Sequence, residues 1–275
     1  MINGISFDVE DWFQVENLKA AIPRESWEMQ PIRVVKSTQK ILEILHSSET
    51  RATFFFLGWI AERCPELVRE VAAAGHEIAC HGYDHELIYD ISPDHFRNDI
   101  RRSKALLEDI SGREVIGYRA PSFSITERSV WAVEELKEAG FVYDSSIFPT
   151  SLHDRYGFSG VATTPFQWPC GLSEIPLAVL EIGKVRLPAA GGGYFRLFPY
   201  AYFKYALRAL NSAGRAFTFY MHPWEFDPEQ PRVKVKASYY FRHYCNLSRT
   251  EARLRRLVGD FEFASLGFAN GFTAQ

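Results

Sequence analysis

The chain has 275 residues, 47% of them hydrophobic, and 31 Lys plus Arg against 34 Asp plus Glu, for a formal charge of −3. That length and apolar content suit one large α/β core and exclude a disordered chain. The near balance of charge gives no basic excess of the kind nucleic acid requires, so no nucleic-acid partner is expected. No apolar run approaches the ~18 residues of a membrane span, so no transmembrane segment is expected either.

The start, Met1-Ile2-Asn3-Gly4-Ile5-Ser6-Phe7-Asp8, lacks the basic, apolar and small-residue regions of a signal peptide. A cytoplasmic chain is the resulting expectation. Cys64, Cys80, Cys170 and Cys245 are scattered and form no C-x-x-C pair, which suits free thiols in a reducing compartment.

Residues 2–9 read as a buried strand that runs into acid at Asp8, Glu10 and Asp11. Val34, Val35, Thr38, Ile41, Leu42 and Leu45 have helical spacing, which predicts a crossover helix over 34–46. The apolar, aromatic run 52–58 predicts a strand buried on both faces. Pro65 and Gly75 bracket a second helix over 65–74, and a strand over 76–80 then delivers His81. Ser92-Pro93 opens a third helix that Gly112 closes, followed by a strand over 115–118 ending at Arg119. Thr126 opens a fourth helix running to Ala139, and a strand over 141–143 ends at Asp144.

This alternation of strand and helix argues for a parallel sheet covered by helices. Residues 145–198 are rich in Gly and Pro and predict loops, with short strands over 173–180 and 184–187. Gly191-Gly192-Gly193 has no phosphate-binding frame around it and reads as a turn. A helix over 200–213, a strand over 216–221 ending at His222, and a terminal helix over 250–266 complete the pattern. Without a repeat or linker, 1–275 reads as one domain, with 230–275 as a helical extension packed on it.

His81 and His85 stand four residues apart, a spacing that can place two imidazoles on one side of a turn, and neutral imidazole is the commonest zinc ligand. Alone the pair is a weak signal. However, Asp8, His81 and His85, Arg119, Asp144 and His222 each follow a predicted strand, and the C-terminal ends of barrel strands are where active sites assemble.

Ser6-Phe7-Asp8, His81-x-x-x-His85, Arg119-Ala120-Pro121, Tyr143-Asp144-Ser145-Ser146 and Met221-His222-Pro223, in that order, resemble the NodB-type polysaccharide deacetylases, carbohydrate esterase family four. The resemblance covers residues 2–224. The stretches Phe7-Asp8-Val9-Glu10-Asp11-Trp12-Phe13 and Gly193-Tyr194-Phe195-Arg196-Leu197 further resemble a bacterial subgroup found with exopolysaccharide and exosortase loci.

The resemblance implies a distorted (β/α) barrel of about seven parallel strands and one divalent metal, Zn²⁺ in the first place with Co²⁺ or Ni²⁺ as alternatives. It implies removal of N-acetyl groups from the amino sugars of a bacterial exopolysaccharide or its precursor, which could be membrane-associated. An amide is a poor electrophile and neutral water a poor nucleophile; a bound zinc improves both. By resemblance Asp8 is the general base, Arg119 its partner, His222 the general acid and Asp144 the residue that orients it. His81 and His85 are implied metal ligands.

The family has two adjacent aspartates where this chain has Asp8-Val9-Glu10-Asp11. In an extended strand Glu10 shares a face with Asp8, which favours it as third ligand, whereas a turn directly after Val9 would favour Asp11. Trp12, Tyr83, Pro121, Phe123 and Trp224 are candidates to line a saccharide groove, or equally to be core. Two other functions remain open: hydrolysis of allantoin-type ring amides without a metal, and carbohydrate binding without catalysis. The joint presence of Asp8 and His222 speaks against the latter.

Overall fold

The computed structural model describes residues 1–150, 157–158 and 160–273. Its strands are β1 (Asn3–Val9), β2 (Thr53–Phe56), β3 (Glu77–Cys80), β4 (Gly117–Tyr118), β5 (Tyr143–Asp144), β6 (Phe166–Gln167), β7 (Ser173–Glu174), β8 (Val179–Ile182), β9 (Val185–Pro188), β10 (Thr218–Met221) and β11 (Phe263–Ala264).

The main ladder runs β10-β1-β2-β3-β4-β5-β7-β6. The seven strands from β10 to β7 pair in parallel, and only β6 joins antiparallel. The sheet curls back on itself: the Ala178 N–H donates to the Thr218 carbonyl, 3.2 Å away, and so links the segment after β7 to β10. The architecture is a distorted α/β barrel. β1 and β2 are buried along their whole length, and Phe54, Phe55 and Phe56 are all buried in sequence. Strands covered on both faces have no need of alternation.

Helices Val34–Ser47, Pro65–Ala73 and Pro93–Ser111 are the crossovers between β1, β2, β3 and β4. The third shows why its bounds were legible. The Ser92 side chain accepts the His95 N–H at 3.2 Å, Pro93 occupies the first turn, and Gly112 closes the helix at φ 64°.

Three expected elements differ. The helix expected over 126–139 spans only Ala132–Glu138. Before it, Thr126 and Ser129 form a turn in which Ser129 Oγ accepts the Thr126 N–H. The strand expected over 173–180 divides into β7 and β8 around Pro176, which has no N–H for a ladder. The terminal helix stops at Asp260, and Phe263–Ala264 joins the sheet beside Asn3 and Gly4. The C-terminal segment is therefore woven into the barrel as well as packed on it.

Candidate active site

Asp8 lies in β1 and Arg119 follows β4. Arg119 is completely buried, and its Nη1 donates to Asp8 Oδ1 at 2.6 Å and to Ser6 Oγ at 2.8 Å. Nε and Nη2 donate to the Ser145 carbonyl and Oγ, both at 2.9 Å. The guanidinium thus has a partner on each of its nitrogens and holds one Asp8 oxygen in place, as a buried charge requires. The other oxygen, Oδ2, stands 3.9 Å from His222 Nε2.

Next to this pair, Glu10, His81 and His85 bring one candidate ligand atom each to within 4.8 Å of one another, all buried. The two histidines lie in a loop after β3 rather than on a helix. His81 Nδ1 lies 2.7 Å from the Arg119 carbonyl. An N–H there leaves Nε2 with its lone pair, as a metal-binding imidazole needs. His85 has a left-handed backbone, φ 56°, which costs a non-glycine residue about 1–2 kcal/mol. Its Nε2 stands 2.7 Å from Glu10 Oε2.

Glu10 Oε1 accepts the Trp224 indole N–H at 3.0 Å, while the buried Oε2 is the oxygen turned to His85. Burial pushes the Glu10 carboxyl up, but His85, His222 and His81 more than offset this and hold it at about 2. Burial pushes His81 down to about 4. A buried carboxylate set against two imidazoles is a donor set that suits a divalent metal.

Asp11 lies elsewhere. Its Oδ1 accepts the Trp12 N–H at 2.8 Å, and its Oδ2 accepts those of Arg33 and Val34 at 2.7 and 2.9 Å. It satisfies the first amides of the helix Val34–Ser47 and is not part of the cluster. Burial raises its pKa to about 6 despite those amides.

His222 follows β10, and its Nε2 is 3.6 Å from Glu10 Oε1. Its Nδ1 does not meet Asp144, the partner that the resemblance implied. Glu225 Oε1 lies 2.8 Å away instead and also accepts the His222 backbone N–H at 3.0 Å. Glu225 Oε2 is fixed by Arg196 Nε at 2.6 Å. Arg196, itself buried, donates its remaining nitrogens to the carbonyls of Arg242, His243 and Cys245. Burial would lower the His222 pKa, but the Glu225 hydrogen bond and the charges of Glu10, Glu225 and Asp8 raise it to about 9. Asp144 faces a separate buried group. It accepts Ser146 Oγ at 2.5 Å, lies in register with Glu174, and is raised to about 6 by burial.

Glu225 was missed, although a sequence signal existed: in His222-Pro223-Trp224-Glu225, a Pro at the first position and a Glu at the third are a capping-box pattern. The three glycines also have a reason. Gly192 opens the short helix Gly192–Leu197, and a Cβ there would stand 1.8 Å from Glu225 Oε1. Only a bare backbone leaves room for that carboxylate.

Asp8, Glu10, His81, His85 and His222 line one cleft of about 620 Å³, together with Phe123, Tyr194, Leu197, Trp224, Phe241 and Arg242 among others. Of the aromatic candidates, Phe123 and Trp224 face this cleft. Trp12 is instead core, packed edge-on against Phe13 at 5.6 Å with its indole N–H on the Pro31 carbonyl. Tyr83 lies outside the cleft lining, its hydroxyl donating to Glu62 and its ring covered by the Arg102 guanidinium at 3.6 Å. Pro121 is buried and starts the short turn that presents Ser122 and Phe123.

The C-terminal edge of this curled parallel sheet gathers a paired carboxylate, a Glu/His/His cluster and a buttressed histidine, and that edge is where barrels of parallel strands assemble their sites. Residues 27–143 match the polysaccharide deacetylase family model, and residues 145–269 match a domain of unknown function, DUF3473. Over residues 27–143 the chain is thus similar to the polysaccharide deacetylases.

It is 35% identical over 99 residues to a peptidoglycan-N-acetylglucosamine deacetylase of Bacillus cereus, covering 36% of each chain. It is 33% identical over 85 residues to a chitooligosaccharide deacetylase of Azorhizobium caulinodans, covering 30% of this chain and 40% of that one. The matches thus span well under half of these relatives. A crystal structure from Mycobacterium smegmatis assigned to the polysaccharide deacetylases superposes with a TM-score of 0.61 at 21% identity, over 98% of this chain and 87% of that one. The peptidoglycan deacetylase PdaC of Bacillus subtilis gives 0.52 at 14% identity, over 98% and 90%. Both share the fold.

Proposed function

We propose that this chain is a metal-dependent N-deacetylase that releases acetate from N-acetylated amino sugars of a bacterial exopolysaccharide or its precursor. The observation that carries the reading is the convergence of Asp8, the Glu10/His81/His85 cluster and His222 in one cleft. We also take 1–275 as a single domain, because β7 and β10 from the second half share one ladder with β1 and β5 from the first.

Glu10, His81 and His85 would hold the divalent metal, zinc by the nature of its nitrogen and carboxylate donors. When bound, such a metal polarises the acetamide carbonyl and makes water a competent nucleophile near neutral pH. Asp8 keeps Oδ1 on Arg119 and turns Oδ2 to the cleft, where it takes the proton of the attacking water. His222, held at Nδ1 by Glu225, directs Nε2 to the cleft and gives a proton to the departing amine. Without that proton the amine is the poorer leaving group, and the tetrahedral intermediate expels oxygen instead. Phe123 and Trp224 offer flat apolar surfaces to the C–H faces of the sugar.

The test is acetate release from N-acetylated oligosaccharides before and after chelation, with zinc, cobalt or nickel added back. Activity that needs the metal, and falls at least ~10²-fold in Asp8→Asn and His222→Ala, is the expected result. Undiminished release after complete chelation would overturn the metal mechanism.

A further inference from the structure

The cleft has a second wall built entirely by the region of unknown function. Phe241, Arg242 and Cys245 line it from the helix Ala237–Tyr244 and the residue after, and Leu197 lines it from the neighbouring short helix. Positions i, i+1 and i+4 fall on one helical face. The opposite face is anchored: His243 is buried and stacks on Trp224 with ring centroids 4.3 Å apart, and Tyr244 is buried beside it. The orientation of this wall is therefore tied to the residue that donates to Glu10.

Its composition is unusual for this protein. From Gln230 to Thr250 there is no Asp or Glu, while Arg232, Lys234, Lys236, Arg242 and Arg249 are all cationic, in a chain whose net charge is −3. Arg242 is exposed and makes no ion pair among the described residues. By contrast, Arg255 and Arg256 on the next helix pair with Glu251 and Asp260. Beside Arg242 the Phe241 ring is 55% exposed, and Leu197 is 44% exposed. An apolar ring next to an unpaired guanidinium, both facing a cleft, forms a platform for a sugar ring together with a fork for a carboxylate.

We infer that the Phe241–Arg242 wall is a saccharide subsite for a sugar residue bearing a carboxylate, next along the chain from the amino sugar that is deacetylated. This rests on the proposed function for its substrate class. It assigns to residues of the uncharacterised region the choice of an acidic, rather than neutral, polymer.

The experiment is calorimetric binding of two oligosaccharide series of equal length to the full metal-loaded chain. One series alternates uronic acid with N-acetylglucosamine, and the other is neutral chitin oligomer. Wild type should bind the carboxylated series about tenfold more tightly, a preference that shrinks with added salt. Arg242→Ala should abolish the preference while keeping neutral binding, Arg242→Lys should keep part of it, and Phe241→Ala should weaken both series.

Absence of carboxylated-oligomer binding by wild type, or equal affinities of wild type and Arg242→Ala, would overturn the inference. So would Arg242-dependent sedimentation with phosphatidylglycerol vesicles while saccharide binding is unaffected by Arg242→Ala, since the wall would then face lipid. Binding is read without turnover, so an intact Arg242-dependent preference with no acetate release would sink the proposed reaction and leave the subsite standing.

Discussion

His222 and Glu225 are joined across one short turn, Nδ1 to Oε1 at 2.8 Å, and Arg196 locks the far oxygen of Glu225 at 2.6 Å. The histidine at the cleft is therefore oriented by its own downstream turn and not by the acid at the end of β5. Asp144 instead bonds Ser146 and adjoins Glu174, and it makes no hydrogen bond or ion pair with His222 among the described residues.

Glu225→Gln should therefore lower kcat about 10²-fold with a small change in KM, because the imidazole loses the partner that fixes its tautomer and charge. Asp144→Asn should change kcat only a few-fold. Both are read as steady-state acetate release well below the unfolding temperature, since Glu225→Gln also leaves Arg196 buried without its counter-charge. A larger kcat loss in Asp144→Asn than in Glu225→Gln would return the orienting role to Asp144.

Glu10 and Asp11 are adjacent, yet only Glu10 faces the histidines. Glu10→Gln should reduce the bound metal measured by elemental analysis, with a modest effect on melting. Asp11→Ala should keep the metal and cost about 1–2 kcal/mol of stability, because two backbone amides at the start of a helix, and that of Trp12, lose their acceptor. Metal lost in Asp11→Ala but retained in Glu10→Gln would reverse the assignment.

The contrast between these two pairs marks what the sequence could convey. Strand ends were legible because apolar runs such as 216–221 stop abruptly at a polar residue, which places Asp8, His81, Arg119 and His222 on one rim. Alternation along β1 likewise favoured Glu10, since residues two apart share a face. Which acid meets which histidine was not legible, because a curled sheet sets distances across the rim that strand order alone does not contain. The stretch Gly193–Leu197 stood out in the sequence, but nothing in it showed what the buried Arg196 holds. Its role depends on three carbonyls, those of residues 242, 243 and 245, contributed by a turn almost fifty residues away.

His76 provides a pH test away from the metal cluster. It is buried, its Nδ1 lies 3.2 Å from the Ala52 N–H as acceptor, and burial together with Arg51 lowers its pKa from 6.5 to about 4. An unfolded histidine takes up a proton below about pH 6.5, whereas the folded one resists until about 4. Stability is thus fully present above 6.5 and falls as pH drops through this window. The loss on reaching pH 5 amounts to about 2 kcal/mol. His243, pushed by burial to about 3, adds to wild type with the same sign. In urea titrations at pH 7.5 and 5, His76→Gln should lose about 2 kcal/mol less than wild type over this interval; parallel losses would mean that His76 is protonated in the fold.

Gly192 tests the buttress without altering any charge. A Cβ at this position would lie 1.8 Å from Glu225 Oε1 and 2.1 Å from Oε2, and the carboxylate cannot retreat because Arg196 and the His222 N–H hold it. Gly192→Ala must therefore displace either the helix Gly192–Leu197 or Glu225 itself. Overpacking of this kind costs about 1–3 kcal/mol. If Glu225 moves, kcat should fall in the manner of Glu225→Gln while metal content stays at the wild-type level. Gly193, whose Cβ would meet nothing within 4 Å, is the matched control, and Gly193→Ala should leave both stability and kcat near wild type. Equal behaviour of the two alanine variants would show that the close approach of Gly192 to Glu225 has no part in placing His222.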